Sequence, residues 1–211
     1  MTSDELLAEY ADRYNQILKP LAEALTGHLQ DNLRGLDRID RIAARAKSPL
    51  RFVAKAMKAL EDGGAKYDHP FEQIQDLVGA RVIVFYKQDV EVVNEAVVRY
   101  YKPIEQRDLI PERESEFGYF GKHFILALPE ELFDDHADRA RSPVFFELQV
   151  KTLFQHAWSE AAHDLAYKPN TELTRLQKRM VALTAAQAWG ADQQFAQLHT
   201  ELNGAPRHEG Q

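Results

Sequence analysis

Cysteine is absent from this sequence of 211 residues, and its absence restricts both chemistry and setting. Without thiols the chain forms no disulfide bond and offers no thiolate ligand to a metal. Long apolar runs are also missing, since none approaches the ~20 residues that a membrane-spanning helix requires. The first residues, MTSDELLAEYADRY, are acidic and amphipathic, unlike a signal or transit peptide. These absences predict a cytoplasmic protein that does not enter a membrane.

The sequence also lacks the excess of positive charge that is typical of general nucleic-acid-binding proteins. It carries 26 Lys and Arg residues against 33 Asp and Glu residues, for a formal net charge of −7. A polyanionic ligand must therefore meet a local basic patch. The positions of the cations are more informative than their sum.

Helical and strand patterns alternate along the chain. Apolar residues at helical spacing predict helices over 2–33, 49–62, 89–101, 153–166 and 171–202. Runs of β-branched and aromatic residues predict strands over 80–86, 119–128 and 144–151, with one or two more hidden between 102 and 145. Pro20 is expected to kink or divide the first helix, and residues 102–116 to form a loop. The order predicts an α+β domain with helical flanks.

Residues 45–60, RAKSPLRFVAKAMKAL, combine an apolar stripe with a separate row of cations. The stripe consists of Leu50, Val53, Met57 and Leu60, and the cations are Arg45, Lys47, Arg51, Lys55 and Lys58. Ser48 and Pro49 supply an N-cap and a first helical residue. In an acidic protein this concentration of cations favours either a docking surface for phosphates or a solvated helix face.

Two further segments place polar or aromatic side chains beside predicted strands. Asp76 precedes one strand and Arg81 lies at its start. Each of these residues either belongs to a turn or binds a ligand. Tyr119 follows a glycine in SEFGYFGKHFIL, residues 115–126, just before Lys122 and His123. An aromatic ring in such a loop either stacks on a nucleobase or fills the core.

The segment FFELQVKTLFQHAWSEAAHDLAYK, residues 145–168, begins as a strand with one unusually polar face. Because side chains alternate, Glu147, Gln149 and Lys151 share that face. Glu147 and Asp76 together are suited to Mg²⁺, which prefers carboxylate and phosphate oxygens. A rival zinc hypothesis uses His156, Glu160 and His163, which lie on one helical face, but their order is not HExxH, so histidines that are hydrogen-bonded or face a ligand are favoured over zinc ligands.

In this order the segments RAKSP, DLVGARVIV, GYFGKH and ELQVKTLFQHAW…H…YK resemble the synthetase domain of the RelA/SpoT family over about residues 42–170. That family transfers the β,γ-pyrophosphoryl group of ATP to the 3′-hydroxyl of a guanine nucleotide, producing ppGpp and pppGpp. The resemblance implies ATP and GDP or GTP as substrates and Mg²⁺ as cofactor. It also implies a mixed central sheet of about five strands flanked by helices, of the polymerase-β nucleotidyltransferase type.

The resemblance further implies a role for each matching residue. On the donor side, the residues that hold ATP would be Arg45, Lys47, Ser48, Lys55, Lys58 and Arg81. Asp76 and Glu147 would bind Mg²⁺, Glu147 would help to deprotonate the attacking hydroxyl, and Gln149 would orient it. On the acceptor side, the binding residues would be Tyr119, Lys122, His123, Lys151 and His163. Tyr119 would stack on the acceptor base, and His123 would contact an acceptor phosphate.

The sequence departs from the usual family pattern in three places. Phe120 and Gly121 replace an arginine and a serine of the common GYRSxH loop, Ala162 replaces a glutamate, and Arg51 replaces a serine. The loop and Ala162 belong to the acceptor side. Two alternatives follow, namely transfer to a tRNA 3′ end or an adenine nucleotide, and a nucleotide-binding regulatory module without catalysis.

The pattern divides the chain into an N-terminal helical extension over 1–40, the synthetase domain over 41–170, and a C-terminal helix and tail over 171–211. The length leaves no room for the family's hydrolase domain or its long regulatory C-terminus, so we expect a small stand-alone synthetase. Its control is expected through expression, a small ligand, homo-oligomerisation or a regulatory protein partner. The C-terminal helix is expected either to cover the sheet or to form the oligomer.

Overall fold

One mixed sheet organises this protein, for which we analyse a computed structural model. The structure describes residues 2–60, 63–108, 118–119, 121–133, 138–166 and 173–204. Within these ranges the strands are β1 (Ile39–Ala46), β2 (Val78–Val84), β3 (Pro103–Asp108), β4 (Lys122–Ala127) and β5 (Phe145–Thr152). They are arranged in the order β1-β2-β5-β4-β3.

The two central strands are the parallel pair of the sheet. β2 and β5 run side by side, with Gly79 opposite Glu147 and Arg81 opposite Gln149. β1 pairs antiparallel with β2, while β4 pairs antiparallel with both β5 and β3. β1 and β3 therefore form the edges, and the polar segment of β5 lies near the middle of the sheet.

Helices cover the sheet and flank it at both ends of the chain. In the described ranges they are α1 (Ser3–Arg13), α2 (Lys19–Leu33), α3 (Pro49–Ala56), α4 (Pro70–Gln73), α5 (Lys87–Tyr100), α6 (Leu153–Ala166) and α7 (Arg175–Gly204). A π-helical turn, Tyr14–Leu18, joins α1 to α2, and a short 3₁₀ turn, Glu130–Leu132, follows β4.

The hydrophobic core lies on one face of the sheet, under α2 and α5. From β5 it receives Phe146, Leu148 and Val150, which are fully buried. Leu25 of α2 and Val97 of α5 belong to the same cluster. The residues between these β5 side chains necessarily point to the other face, which α6 and α7 cover only in part.

The N-terminal helix fixes the position of the basic segment. The ring of Tyr10 stacks on Phe52 of α3, with centroids 3.8 Å apart. The Tyr10 hydroxyl donates to the Lys47 backbone carbonyl at 2.9 Å. α1 thus holds both the start of α3 and the residue before its cap, so that it supports the cations of this segment.

The prediction of an α+β fold with about five strands and flanking helices is confirmed. The prediction that 102–116 forms a loop is wrong where Pro103–Asp108 forms β3, and β1 was not predicted. Both are edge strands of the sheet. The helix predicted over 49–62 ends at Ala56. Pro20 was expected to kink or divide the first helix; the helical backbone continues, but a π-helical turn, Tyr14–Leu18, interrupts its α-helical hydrogen bonding just before Pro20.

No helix in the described ranges combines the length and hydropathy needed to cross a membrane. The cytoplasmic location and the three-part division of the chain stay predictions.

Candidate active site

The face of the sheet opposite the core carries a row of polar side chains in register. Arg81 on β2 lies beside Gln149 on β5, and Gln149 lies beside His123 on β4. One step along the strands, Glu147 neighbours Gly79. The parallel pairing of β2 and β5 therefore brings together residues from three of the sequence segments.

A cavity of about 830 Å³ opens over this face, between the sheet, α3 and α6. Among the described residues that line it, seven are cationic and three are carboxylates. The cations are Arg45, Lys47, Arg51, Lys55, Lys58, Arg81 and Lys151, and the carboxylates are Asp76, Glu147 and Glu160. The cavity is thus a concentrated basic site in a chain whose net charge is −7.

Asp76 lies at the centre of the cations and contacts two of them. Lys47 Nζ is 2.7 Å from Oδ2, and Lys55 Nζ is 3.0 Å from Oδ1. Burial alone would raise the pKa of the Asp76 carboxyl, but the two ammonium groups outweigh it and hold the pKa below its ordinary value. Asp76 is consequently ionised at neutral pH.

Glu147 is held by two neighbours on the same face. His123 Nδ1 lies 3.0 Å from Oε1, and Gln149 Nε2 donates to Oε2 at 3.2 Å. Burial raises the pKa of Glu147, but the hydrogen bond and charge of His123 outweigh that effect, so the pKa is lowered overall. An ionised carboxylate only accepts, so the Nδ1 of His123 carries the shared proton. His123 Nε2 is buried and has no hydrogen-bond partner among the described residues.

Lys151 brings a buried ammonium group to the floor of the cavity. Its side chain is 4% exposed, and Nζ donates to Ser159 Oγ of α6 at 3.1 Å. Burial, followed by the positive charge of Arg81, lowers the pKa of Lys151 to about 8. An incoming phosphate would compensate this amine better than the hydroxyl does.

Arg81 has a partner that the sequence did not predict. Its guanidinium lies 2.7 Å from Oε1 of Glu160, which α6 brings over β2. Burial raises the pKa of Glu160, but the charge of Arg81 outweighs it and lowers the pKa. Burial and then the charge of Arg81 lower the pKa of the Arg45 guanidinium. Such close cations favour an anionic ligand. The sequence contained one signal for this position: Glu160 is spaced from His156 and His163 so that all three share one face of the helix.

The two central carboxylates have the oxygen chemistry that magnesium prefers. Mg²⁺ is usually held by one or two carboxylates together with substrate phosphates. Asp76 and Glu147 line the same cavity, and phosphates would have the surrounding lysines as counter-ions. The described chain contains no group of three or more His, Cys, Asp or Glu side chains placed to hold a metal. The zinc hypothesis for His156, Glu160 and His163 is therefore wrong.

Smaller cavities extend from the two carboxylates in different directions along the sheet. One, of about 450 Å³, lies over β1 and β2 and is lined by Ser48, Arg51 and Arg81. Another, of about 530 Å³, reaches the β4 and β3 side and is lined by residues including Lys66, Tyr67, Glu105 and His123. Asp76 and Glu147 line both. The carboxylate pair thus has room for one ligand on each side.

Most of the predicted site residues meet in these cavities. They are Arg45, Lys47, Ser48, Lys55, Lys58, Asp76, Arg81, His123, Glu147, Gln149, Lys151 and His163. Burial lowers the pKa of His163 at the cavity wall. Their roles stay predictions.

Two predicted acceptor residues are placed elsewhere. Tyr119 is 6% exposed and packs with Trp158 and Ala185, so the structure supports the alternative that its ring fills a core rather than stacking on a base. Lys122 alternates with His123 on β4 and points to the opposite face, where Nζ lies 3.7 Å from Glu91 of α5. It does not line the cavity of about 830 Å³.

Comparisons with known proteins agree with this geometry. The family described as "Region found in RelA / SpoT proteins" matches residues 44–172, more than half of the chain. The chain is 25% identical over 166 residues to the GTP pyrophosphokinase YjbM of Bacillus subtilis (strain 168), covering 75% of this chain and 76% of that protein.

Solved structures share the fold. Small alarmone synthetase 1 from Bacillus subtilis, in a crystal structure with its product pppGpp, matches with a TM-score of 0.70 and 21% identity, covering 93% of this chain and 97% of that chain. A GTP pyrophosphokinase family protein from Streptococcus pneumoniae matches with a TM-score of 0.69 and 23% identity, covering 97% of both chains.

Proposed function

Because this chain belongs to the RelA/SpoT family, we propose that it transfers the β,γ-pyrophosphoryl group of ATP to the 3′-hydroxyl of GDP or GTP. The observation that carries the proposal is the basic cavity around Asp76 and Glu147 in an otherwise acidic chain. The pyrophosphokinase activity named for the Bacillus subtilis relative supports it. The products would be AMP and ppGpp or pppGpp.

The transfer exchanges one phosphorus–oxygen bond for another. The 3′ oxygen of the acceptor forms a bond to the β-phosphorus, and the bond from that phosphorus to the α,β-bridging oxygen breaks. The bridging oxygen leaves with AMP, and the 3′-hydroxyl proton passes to a base. Attacking and leaving oxygens stand roughly in line in phosphoryl transfer. Ligand space on both sides of the Asp76–Glu147 pair is compatible with that requirement.

We assign ATP to the side formed by β1, β2 and α3. Arg45 and Arg81 line the smaller cavity there and present planar guanidinium groups. Lys47 and Lys55 contact Asp76, and their ammonium groups would turn to the phosphates when ATP binds. The cations would then neutralise the charge of the transferring group, which is the main requirement of this chemistry.

We assign the acceptor to the β4 side, next to Glu147. Its carboxylate is oriented by His123 and Gln149, and it is ionised, so it can accept the proton of the 3′-hydroxyl. His123 is also placed to contact the acceptor, because it lines the same cavities as Glu147.

Asp76 and Glu147 are the residues that would hold Mg²⁺. When bound, the ion would supply Lewis-acid stabilisation of the charge that develops on the phosphoryl oxygens. Asp76 is released for this role when its two lysines turn to the nucleotide. Glu147 keeps its hydrogen bonds from the neighbouring side chains.

The test is a transfer assay with four acceptors. The purified protein is incubated with Mg²⁺ and ATP labelled at the γ-phosphate, with GDP, GTP, excess unlabelled ATP or bulk tRNA in separate tubes. We expect label in guanosine tetra- or pentaphosphate, and no product from the Glu147→Gln variant. Label in tRNA alone, or in an adenosine product alone, would show that the acceptor is tRNA or an adenine nucleotide rather than GDP or GTP. Nucleotide binding without transfer in any tube would contradict the proposal and favour a regulatory module.

A further inference from the structure

Asp192 is a buried carboxylate that the transfer chemistry does not use. It lies in α7, beyond the family match, and is 0% exposed. One oxygen, Oδ2, accepts a hydrogen bond from the Tyr119 hydroxyl at 2.5 Å and another from Thr152 Oγ1. The other oxygen, Oδ1, has no partner among the described residues. Burial raises the pKa of Asp192 despite these two hydrogen bonds.

The two donors belong to segments that border the active site. Tyr119 stands three residues before β4, which carries His123. Thr152 ends β5, and its hydroxyl accepts from the backbone N–H of Gln155 in α6 at 3.1 Å. A single carboxylate therefore links the entry to β4, the end of the catalytic strand and the C-terminal helix.

Gly121, directly before β4, also lies close against β5. A Cβ atom on Gly121 would lie 2.3 Å from the Val150 carbonyl oxygen and 2.5 Å from Lys151 Cγ. Real side chains do not tolerate such distances, so glycine is required here for steric reasons. A shift of Tyr119 would be transmitted directly to this contact, and from it to β4.

An isolated buried carboxylate is unfavourable unless its hydrogen bonds offset the loss of hydration. Two hydroxyl donors on one oxygen meet this need and restrict the geometry strongly, because hydrogen bonds to a charged acceptor are short and directional. Trp158 adds packing, since it contacts the same small cluster as Tyr119 and Ala185. The hydrogen bonds to Asp192 therefore hold Tyr119 firmly in place, just before β4 on the acceptor side of the site.

We propose that Asp192 is a positioning residue for the acceptor nucleotide. By holding the Tyr119 hydroxyl it fixes the start of β4 and hence the place of His123 beside Glu147. The C-terminal helix thereby contributes to acceptor binding without touching the nucleotide. The proposal rests on the proposed transferase function for its kinetic readout, but not for its structural one.

The kinetic test compares Asp192→Asn and Tyr119→Phe with the wild type. We expect each variant to raise KM for the acceptor that the wild type uses by roughly 3- to 30-fold, with KM for ATP changed by less than about twofold. Tyr119→Phe keeps the ring, so a role in stacking alone would leave its acceptor KM unchanged. Asn keeps an acceptor oxygen but loses the charge, and Phe loses the donor hydroxyl. Both variants therefore weaken the same hydrogen bond, and the double variant should be no worse than the more impaired single variant.

Controls separate positioning from general destabilisation. Ala188→Gly weakens the packing of α7 against the same cluster without touching the carboxylate, and should lower Tm while leaving both KM values unchanged. Thr152→Ser keeps the hydroxyl and should behave as wild type, whereas Thr152→Val should resemble Asp192→Asn. Equal rises in both KM values, or additive effects in the double variant, would overturn the proposal.

A second readout needs no catalysis. Hydrogen exchange should be faster at residues 121–123 in Asp192→Asn than in the wild type, and unchanged there in Ala188→Gly. Unchanged exchange in Asp192→Asn would overturn the proposal even in an active enzyme. An inactive wild type with the expected exchange pattern would instead contradict the transferase function and leave the linkage established.

Discussion

The two faces of strand β5 differ in what they contribute. One face presents Phe146, Leu148 and Val150, which are fully buried beneath α2 and α5. The other presents Glu147 and Lys151, charged groups that line the cavity and lie close to other charges. Burial of apolar side chains stabilises the fold, whereas burial of a charge costs free energy unless it is well paired. Stability and chemistry are therefore separated within eight consecutive residues.

This separation makes opposite demands on substitutions a single position apart. A change on the apolar face should act through Tm and leave the chemistry of the folded molecules intact. A change on the polar face should act through turnover and leave Tm nearly unchanged, or even raised. Predictions at three sites test the contrast, beginning with the largest expected change in free energy.

The largest effect is expected from the carboxylate pair. Asp76→Asn and Glu147→Gln remove a negative charge from the proposed metal site while keeping the shape of the side chain. We expect each to lower kcat by on the order of 10³-fold, because stabilisation of the transferring phosphates depends on that charge. Radiolabel transfer at saturating nucleotide measures the loss.

The control for these variants is thermal unfolding. Both side chains are partly exposed at the cavity, so the free energy of unfolding should change by roughly 1 kcal/mol or less. Tm should therefore stay within a few degrees of the wild type. A folded variant with turnover near that of the wild type would remove the carboxylate concerned from the mechanism.

A smaller effect, on stability rather than on turnover, is expected at Leu148, the residue after Glu147. Leu148→Ala leaves a cavity in the core and should lower the free energy of unfolding by about 2–5 kcal/mol. For a chain of this size the corresponding fall in Tm is roughly 5–15 °C. At a temperature where the variant is fully folded, kcat should stay close to that of the wild type. A large loss of kcat without loss of Tm would show that the two faces are not separable.

The smallest effect is expected at Lys151, whose buried charge serves phosphate binding but destabilises the folded protein. Lys151→Met should stabilise the protein by roughly 1–3 kcal/mol at pH 7, since the buried amine no longer has to be kept charged. The folded pKa of about 8 lies below that of the unfolded chain, so below pH 8 the destabilising effect is fully present. It declines as pH rises from about 8 to the unfolded value of ~10.4. The Tm advantage of the variant should therefore be smaller at pH 9.5 than at pH 7.

The same amine should shape the pH dependence of catalysis. Loss of its charge above pH 8 weakens phosphate binding, so kcat/KM of the wild type should fall there with a pKa of about 8. Lys151→Met should have a lower kcat/KM at pH 7 and lack this fall. An unchanged alkaline limb in the variant would assign the titration to another group.

The sequence predicted the polar face of β5 well because the chemistry depends on residue type and strand alternation. It also predicted that Asp76, Arg81 and the cations of the basic segment share a site with that face. Strand β1 was missed because IDRIAARA, residues 39–46, is an edge strand whose polar residues do not resemble a buried strand. Strand β3 was assigned to a loop for the same reason.

Contacts between distant elements were beyond reach of the sequence. Glu160 meets Arg81, and Asp192 meets Tyr119, only because helices bring them there. The composition of the loop at Tyr119 suited both base stacking and core packing, and only the position of α7 distinguishes the two. The resemblance implied that Lys122 and His123 both bind the acceptor, although strand alternation sends the two side chains to opposite faces.

The parallel pairing of β2 with β5 has a consequence for how activity arises during folding. The pairing joins Gly79 to Glu147, so a long stretch of chain, containing α5, β3 and β4, must close into a loop first. Closing long loops costs entropy before the contact repays it, and sheets with such distant pairings fold slowly. Asp76 and Glu147 are brought together only by this closure. A nascent chain that has not yet formed β5 therefore holds Asp76 and most of the cations of the cavity, but lacks Glu147 and Lys151.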